Sequence, residues 1–149
     1  ITHIEMTRFL LTLDDAVELI DWTYNHPNSH GKIAVPKIKA MKMIHLARCL
    51  IKAYDKKGKV ALKVVGVRPG EKLHEQMIGS EDSHSTYEYP EHFKILPQIN
   101  DWSKDVKRIK GGIRVPKGFI YGSNTNSEWM TNADLETWID THKNYIGKI

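Results

Sequence analysis

Val60-Ala61-Leu62-Lys63-Val64-Val65-Gly66-Val67, followed at once by Arg68-Pro69-Gly70-Glu71-Lys72, is the stretch from which a sheet architecture is expected. The first eight residues alternate and then run continuously apolar, which predicts a strand entering a sheet interior. Arg68-Pro69-Gly70 predicts a turn. Beyond it a short helix is expected, with Leu73, Met77 and Ile78 on one face and Glu71 at its N-terminal end, where backbone amides and the dipole favour an acid or an anion. Strand ends of this kind hold ligands, and a guanidinium on a rigid turn can grip phosphate oxygens in pairs. An Arg68–Glu71 surface ion pair would explain the same residues without any ligand.

On the N-terminal side, Leu13, Ala16, Val17, Ile20 and Tyr24 recur at helical spacing after Thr12, a candidate N-cap, with Asp14 and Asp15 in the first turn. That helix stops before Pro27, and Asn28 to Gly31 reads as a turn. Ile33-Ala34-Val35, closed by Pro36, suits a buried strand. A second helix carries Met43, Ile44, Ala47, Leu50, Ile51 and Tyr54 on its apolar face and stops at Asp55-Lys56-Lys57-Gly58. On the C-terminal side, Gly79 to Glu91 is polar and expected to be exposed. Phe93-Lys94-Ile95-Leu96 predicts a strand, while Asn100 to Gly118 shows no period. Thr131 caps a last helix from Ala133 to about Tyr145, with Leu135, Trp138, Ile139 and His142 on one side. The alternation of helices and strands predicts an α/β arrangement, and with no linker or repeat residues 1–149 read as a single domain.

Composition narrows the function. The chain has 149 residues, 40% hydrophobic and 27% charged, enough apolar material for a core. No stretch is long and apolar enough for a membrane span or a signal peptide. The net charge of +4 and pI near 9.1 admit nucleic acid as a distant alternative, but the lysines are scattered among acids. Cys49 lies among Leu46, Ala47, Leu50 and Ile51 and reads as a buried, inert thiol, consistent with a reducing, cytoplasmic setting. The eight histidines show no metal-ligand spacing, and His74-Glu75 has Ile78 where a zinc-protease helix needs a second histidine, so no metal is expected. Gly-x-Gly-x-x-Gly is absent, as is a Tyr-x-x-x-Lys pair. Alone, the chain is expected to bind no cofactor.

Two further clusters could contact a ligand. Met6-Thr7-Arg8-Phe9 sets an arginine between Met and an aromatic ring, though a solvated arginine accounts for it as well. Ser123-Asn124-Thr125-Asn126-Ser127, between Tyr121 and Trp129, offers donors and acceptors suited to sugar hydroxyls, although an ordinary polar loop fits the same composition.

Together, Met6-Thr7-Arg8-Phe9 with Leu13-Asp14-Asp15-Ala16-Val17, Ile33 to Lys37, Gly66 to Glu75 (GVRPGEKLHE) and Ser123 to Thr131 (SNTNSEWMT) resemble the inverting UDP-N-acetylglucosamine 4,6-dehydratases (5-epimerizing) that begin pseudaminic acid synthesis, with capsular polysaccharide dehydratases and epimerases as near relatives. The resemblance implies an extended short-chain dehydrogenase/reductase of the polysaccharide biosynthesis family. It implies that this chain is the small C-terminal UDP-sugar-binding portion, with the N-terminal Rossmann half, its NADP and its catalytic residues absent and the fragment therefore inactive alone. It implies a lyase parent that moves hydride from C4 of the sugar, loses water across C5 and C6 and inverts C5, in a cytoplasmic, homo-oligomeric enzyme. By the same resemblance Arg8 and Arg68 contact the UDP diphosphate, flanked by Met6 and Thr7; Glu71 takes ribose hydroxyls; and Asn126 or Ser127 reaches the substrate. Lys39-Ala40 stands where relatives have Pro-Ser, which is expected to remove an N-cap hydroxyl from the second helix. A binding or oligomerisation module that keeps the fold is the alternative from another class.

Overall fold

The computed structural model describes residues 1–26, 31–98 and 107–146. The expected turn over Asn28 to Gly31 falls, but for Gly31, outside them, as does part of the stretch from Asn100 onward. The chain is a mixed α/β protein that divides into two compact units, residues 1–10, 39–75 and 123–149 in one and 11–38 and 76–122 in the other.

In the first unit, strand β1 (Thr7–Phe9) pairs antiparallel with β3 (Ala40–Lys42), placing Arg8 opposite Met41. Helix α2 (Met43–Tyr54) follows β3 directly and packs on α3 (Asn132–Ile146). Met41, Cys49, Leu135 and Ile139 are buried between them, joined by Leu46, Leu50 and Trp138. The predicted apolar face of α2 thus finds its partner, and the thiol of Cys49 is buried, its pKa pushed up by desolvation. Thr131 and Asp134 cap α3 reciprocally, the Asp134 N–H donating to Thr131 Oγ1 (3.1 Å) and the Thr131 N–H to Asp134 Oδ2 (2.9 Å). The expectation for the start of α2 is corrected. Its N-cap is Lys42, without a side-chain bond, while Ala40 is fully buried inside β3, so a hydroxyl at position 40 would not cap this helix.

In the second unit, Thr12 caps helix α1 (Leu13–Asn25). Strand β2 (Ile33–Pro36) forms one edge of an antiparallel sheet ordered β2, β6 (His92–Ile95), β5 (Thr86–Glu88), β7 (Ile113–Arg114). The edge position suits Pro36, which has no amide proton for a ladder, and leaves Ile33 62% exposed while Val35 is buried. Strands β4 (Gln76–Ile78) and β8 (Tyr121–Gly122) pair beside it. The rings of Phe119 and Tyr121 lie 5.4 and 4.9 Å from Phe93, and Ile78, Tyr87, Ile95, Leu96 and Val115 are buried in this unit.

Three expectations are overturned here. Residues 60–67 form no strand; every residue from 56 to 70 is exposed, Val60, Val64, Val65 and Val67 by 45–59%. Their recorded backbone bonds run elsewhere than a sheet interior: Ile1 donates to Lys63 O (2.9 Å), Val65 donates to Ile1 O (2.9 Å), and Val60 donates to the Asp55 carboxylate (2.7 Å). No helix follows Gly70, because 76–78 pairs as β4. The polar stretch 79–91 is not uniformly exposed either: a 3-10 turn over Ser80–Ser85 buries Ser83 and Ser85, whose hydroxyls donate to Ser80 O (2.6 Å) and Asp82 O (3.1 Å).

Candidate functional site

The turn at residues 68–71 anchors the site. Pro69 presets one central position, Gly70 adopts the positive φ of 79° that a type II turn requires at the other, and the Glu71 N–H donates to Arg68 O (3.0 Å). The Glu71 carboxylate closes the turn from its other side, accepting the Arg68 N–H at Oε2 (3.1 Å) and the Thr2 hydroxyl at Oε1 (3.2 Å). The Arg68–Glu71 surface ion pair, the ligand-free alternative, does not form among the described residues. Glu71 holds the backbone of Arg68, and the guanidinium is exposed without a hydrogen bond or ion pair among the described residues. A cation fixed at its root and free at its tip can take an anion without first breaking a pair.

Arg8 is used differently. Its Nη1 donates to the carbonyls of Thr7 (2.7 Å) and Leu73 (3.2 Å), its Nη2 to that of Lys72 (2.8 Å), and its Nε lies 3.6 Å from Glu75 Oε1. The other Glu75 oxygen accepts the Phe9 N–H (3.1 Å). The guanidinium thereby staples β1 to the segment after the turn, with most of its donors already committed. Sequence reasoning assigned the two arginines one task, and the structure gives them unequal freedom.

Thr7, 2% exposed, completes the staple. Its N–H donates to Leu73 O (3.1 Å), and its hydroxyl lies 2.7 Å from both His74 Nδ1 and Ser123 Oγ. Ser123, fully buried, accepts the Glu75 N–H at Oγ (2.9 Å) and donates its own N–H to Glu75 O (2.8 Å). Met6 is buried, its sulfur 3.3 Å from the Thr2 hydroxyl oxygen. Met6, Thr7, Arg8, the turn at Arg68 and Glu71 therefore belong to one bonded network, in which Glu71 holds the Arg68 backbone while the Met6 and Thr7 side chains meet other side chains.

Asn126 and Ser127 lie on the segment beyond Ser123. Asn126 is 9% exposed and folds its own loop, its Nδ2 donating to Glu128 O (2.8 Å) and its carbonyl accepting Trp129 Nε1–H (2.9 Å). Ser127 is exposed and without a bonded partner among the described residues. Of the two, Ser127 is the one whose side chain is free, the Asn126 amide being bonded to Glu128. Sequence reasoning missed His74, Glu75 and Ser123 as members of the network. His74 and Glu75 lay in the GVRPGEKLHE stretch and were weighed singly only against a zinc pattern that they fail, and Ser123 stood among several polar residues of SNTNSEWMT.

Among the described residues no group of three or more His, Cys, Asp or Glu side chains could hold a metal ion, and no helix is long and apolar enough to cross a membrane.

Residues 1–97 match the family described as Polysaccharide biosynthesis protein. Two UDP-N-acetylglucosamine 4,6-dehydratases (inverting) from Campylobacter jejuni strains are 38% and 39% identical over 142 residues, 91% of this chain, which spans 40% of their length. A UDP-glucose 4-epimerase from Rickettsia canadensis is 34% identical over 95 residues, 64% of this chain and 27% of that protein. The crystal structure of Pen from Bacillus thuringiensis shares the fold with a TM-score of 0.75 at 22% identity, over 96% of this chain and 41% of that one. The resemblance carried by MTRF, GVRPGEKLHE and SNTNSEWMT thus extends over nearly the whole sequence, and the chain belongs to the polysaccharide biosynthesis protein family, alongside the inverting UDP-N-acetylglucosamine 4,6-dehydratases.

Proposed function

We propose that this chain is the UDP-sugar-binding portion of an NADP-dependent UDP-N-acetylglucosamine 4,6-dehydratase, a lyase of cell-surface polysaccharide synthesis. The observation that carries the reading is the 38–39% identity, over 91% of the chain, to two proteins named for that activity. The geometry supports it through Arg68, an exposed guanidinium with no partner among the described residues on a turn fixed by Pro69, Gly70 and Glu71.

In this reading Arg68 meets the diphosphate, while Arg8, most of whose donors hold carbonyls, fixes the segment that presents it. A charge-assisted contact of about 1.5–3 kcal/mol makes loss of Arg68 costly to binding. NADP would be held outside this chain, which has neither a glycine-rich phosphate loop nor a Tyr-x-x-x-Lys pair. The C4 oxidation, the loss of water and the inversion at C5 are proposed for the complete enzyme.

Exposed apolar surface supports the same division of labour. Leu13, Val17, Ile20 and Tyr24 form one stripe of α1 that is 55–84% exposed, as expected of a face made for another body. An N-terminal nucleotide-binding domain is the proposed occupant. A second copy of the chain is the rival that the oligomerisation-module reading would favour, and solution mass of the chain separates them: a defined oligomer indifferent to UDP supports the module.

The test is a titration of the complete enzyme with UDP, followed by amide NMR. Signals of residues 6–8 and 68–75 are expected to shift, and Arg68→Ala to weaken binding by about ten- to a hundredfold. Undisturbed signals at saturating UDP overturn the proposal.

A further inference from the structure

We infer that His74 is a ligand-contacting hydrogen-bond donor, its ring oriented by a one-way relay through Ser123 and Thr7. The inference rests on the UDP-sugar reading and extends it to a residue outside the expected set. Ser123 Oγ accepts the Glu75 N–H (2.9 Å), so its own hydroxyl proton needs an acceptor. Among the described residues the only one in reach is Thr7 Oγ1, at 2.7 Å. Thr7 therefore receives the Ser123 proton and must pass its own to the remaining neighbour, His74 Nδ1, also at 2.7 Å. Run in the other direction, the relay would strand the hydroxyl proton of a fully buried serine, an arrangement folded proteins avoid.

With Nδ1 filled as an acceptor, a neutral His74 carries its proton on Nε2. That nitrogen has no hydrogen-bond partner among the described residues and is not among the buried unsatisfied atoms, so the imidazole presents a fixed N–H to solvent. The residues on either side, Leu73 and Glu75, are the ones that Arg8 grips. A ring anchored on both flanks and through its inner nitrogen is positioned to donate outward. An N–H donor selects an acceptor oxygen, which here means a phosphate or hydroxyl oxygen of the nucleotide sugar.

Paired isosteres test the assignment, since a glutamine amide reaches the place of Nε2 and an asparagine amide only that of Nδ1. UDP affinity of the complete enzyme is measured by calorimetry for wild type, Arg68→Ala, His74→Gln and His74→Asn, with unfolding midpoints confirming that each is folded. His74→Gln is expected to stay within about threefold of wild type and His74→Asn to lose about tenfold, the worth of one hydrogen bond. Ring nitrogen NMR of the free protein is expected to show Nδ1 unprotonated and Nε2 protonated, with the Nε2 proton shifting when UDP is added. If wild type binds UDP and Arg68→Ala weakens it while both His74 variants bind like wild type or fall together, the His74 assignment fails and the UDP reading stands. A ring protonated at Nδ1 also overturns it. If wild type does not bind UDP, the parent reading fails first.

Discussion

Helix α1 begins on a complete reciprocal cap and buries no residue, whereas α2 begins with no side-chain cap and packs into a core. Thr12 Oγ1 accepts the Asp15 N–H (3.0 Å) and Asp15 Oδ2 accepts the Thr12 N–H (2.9 Å), yet within the helix only Ala16, Leu19 and Thr23 turn toward partial burial. On α2, Cys49 is buried and Met43, Leu46, Leu50 and Tyr54 pack around it. The contrast separates two roles that sequence periodicity merges. A cap and a 3.6-residue repeat specify that a helix forms, while the facing surface decides whether its stripe becomes core. α1 is specified locally, and α2 is held by packing.

The largest effect expected from breaking that contrast is at Leu135, fully buried opposite α2. Leu135→Ala leaves a cavity and should cost about 3 kcal/mol in denaturant unfolding. Ile20→Ala, on the 68% exposed stripe of α1, should stay within about 0.5 kcal/mol in the same measurement. Should Ile20→Ala prove as costly as Leu135→Ala, the stripe is covered in the free chain and the contrast is false. In the complete enzyme Ile20→Ala is expected to weaken assembly instead.

A second way to sharpen the comparison is pH. The ring of Trp22 on α1 meets His92 edge-on at 4.7 Å, and His92 also stacks on Tyr89. Burial, then Lys94, His26 and Lys37, holds the pKa of His92 down from the ordinary 6.5 to about 4. Between those values the unfolded chain binds a proton that the folded chain refuses, so stability falls as pH falls from 6.5 toward 4. Hydrogen exchange should record that loss in α1 and β6 and not in α2, and His92→Phe should flatten the profile. A slope that survives in His92→Phe assigns the titration to another group.

These effects mark what the sequence made legible. The three helices, Thr12 and Thr131 as caps, the strand at Phe93 and the turn at Arg68-Pro69-Gly70 all followed from periodicity and local turn chemistry. The exposed run from Val60 to Val67 did not, because its apolar pattern predicts a partner and a sequence does not say which chain segment provides one. The same limit hid the network. Arg8, Thr7 and Ser123 meet the 72–75 segment across separations of 48 to 67 residues, and no spacing rule links them. Family resemblance selected Arg8 and Arg68 as equals, and only the hydrogen bonds distinguish a guanidinium that holds backbone from one that is free.

The smallest expected effect isolates the local half of the contrast. Thr12→Ala removes an acceptor for the first turn of α1 and a donor to Asp15, a change of about 1 kcal/mol in helix stability. Because α1 buries no residue, that cost should appear as faster amide exchange at Leu13 to Ala16 with the global unfolding midpoint nearly unmoved. Thr12→Ser restores the hydroxyl and should restore protection. If Thr12→Ala instead lowers the global midpoint, and Thr12→Ser recovers it, α1 is coupled to the rest of its unit more tightly than its exposure implies, and its stripe must be read as part of the folding unit.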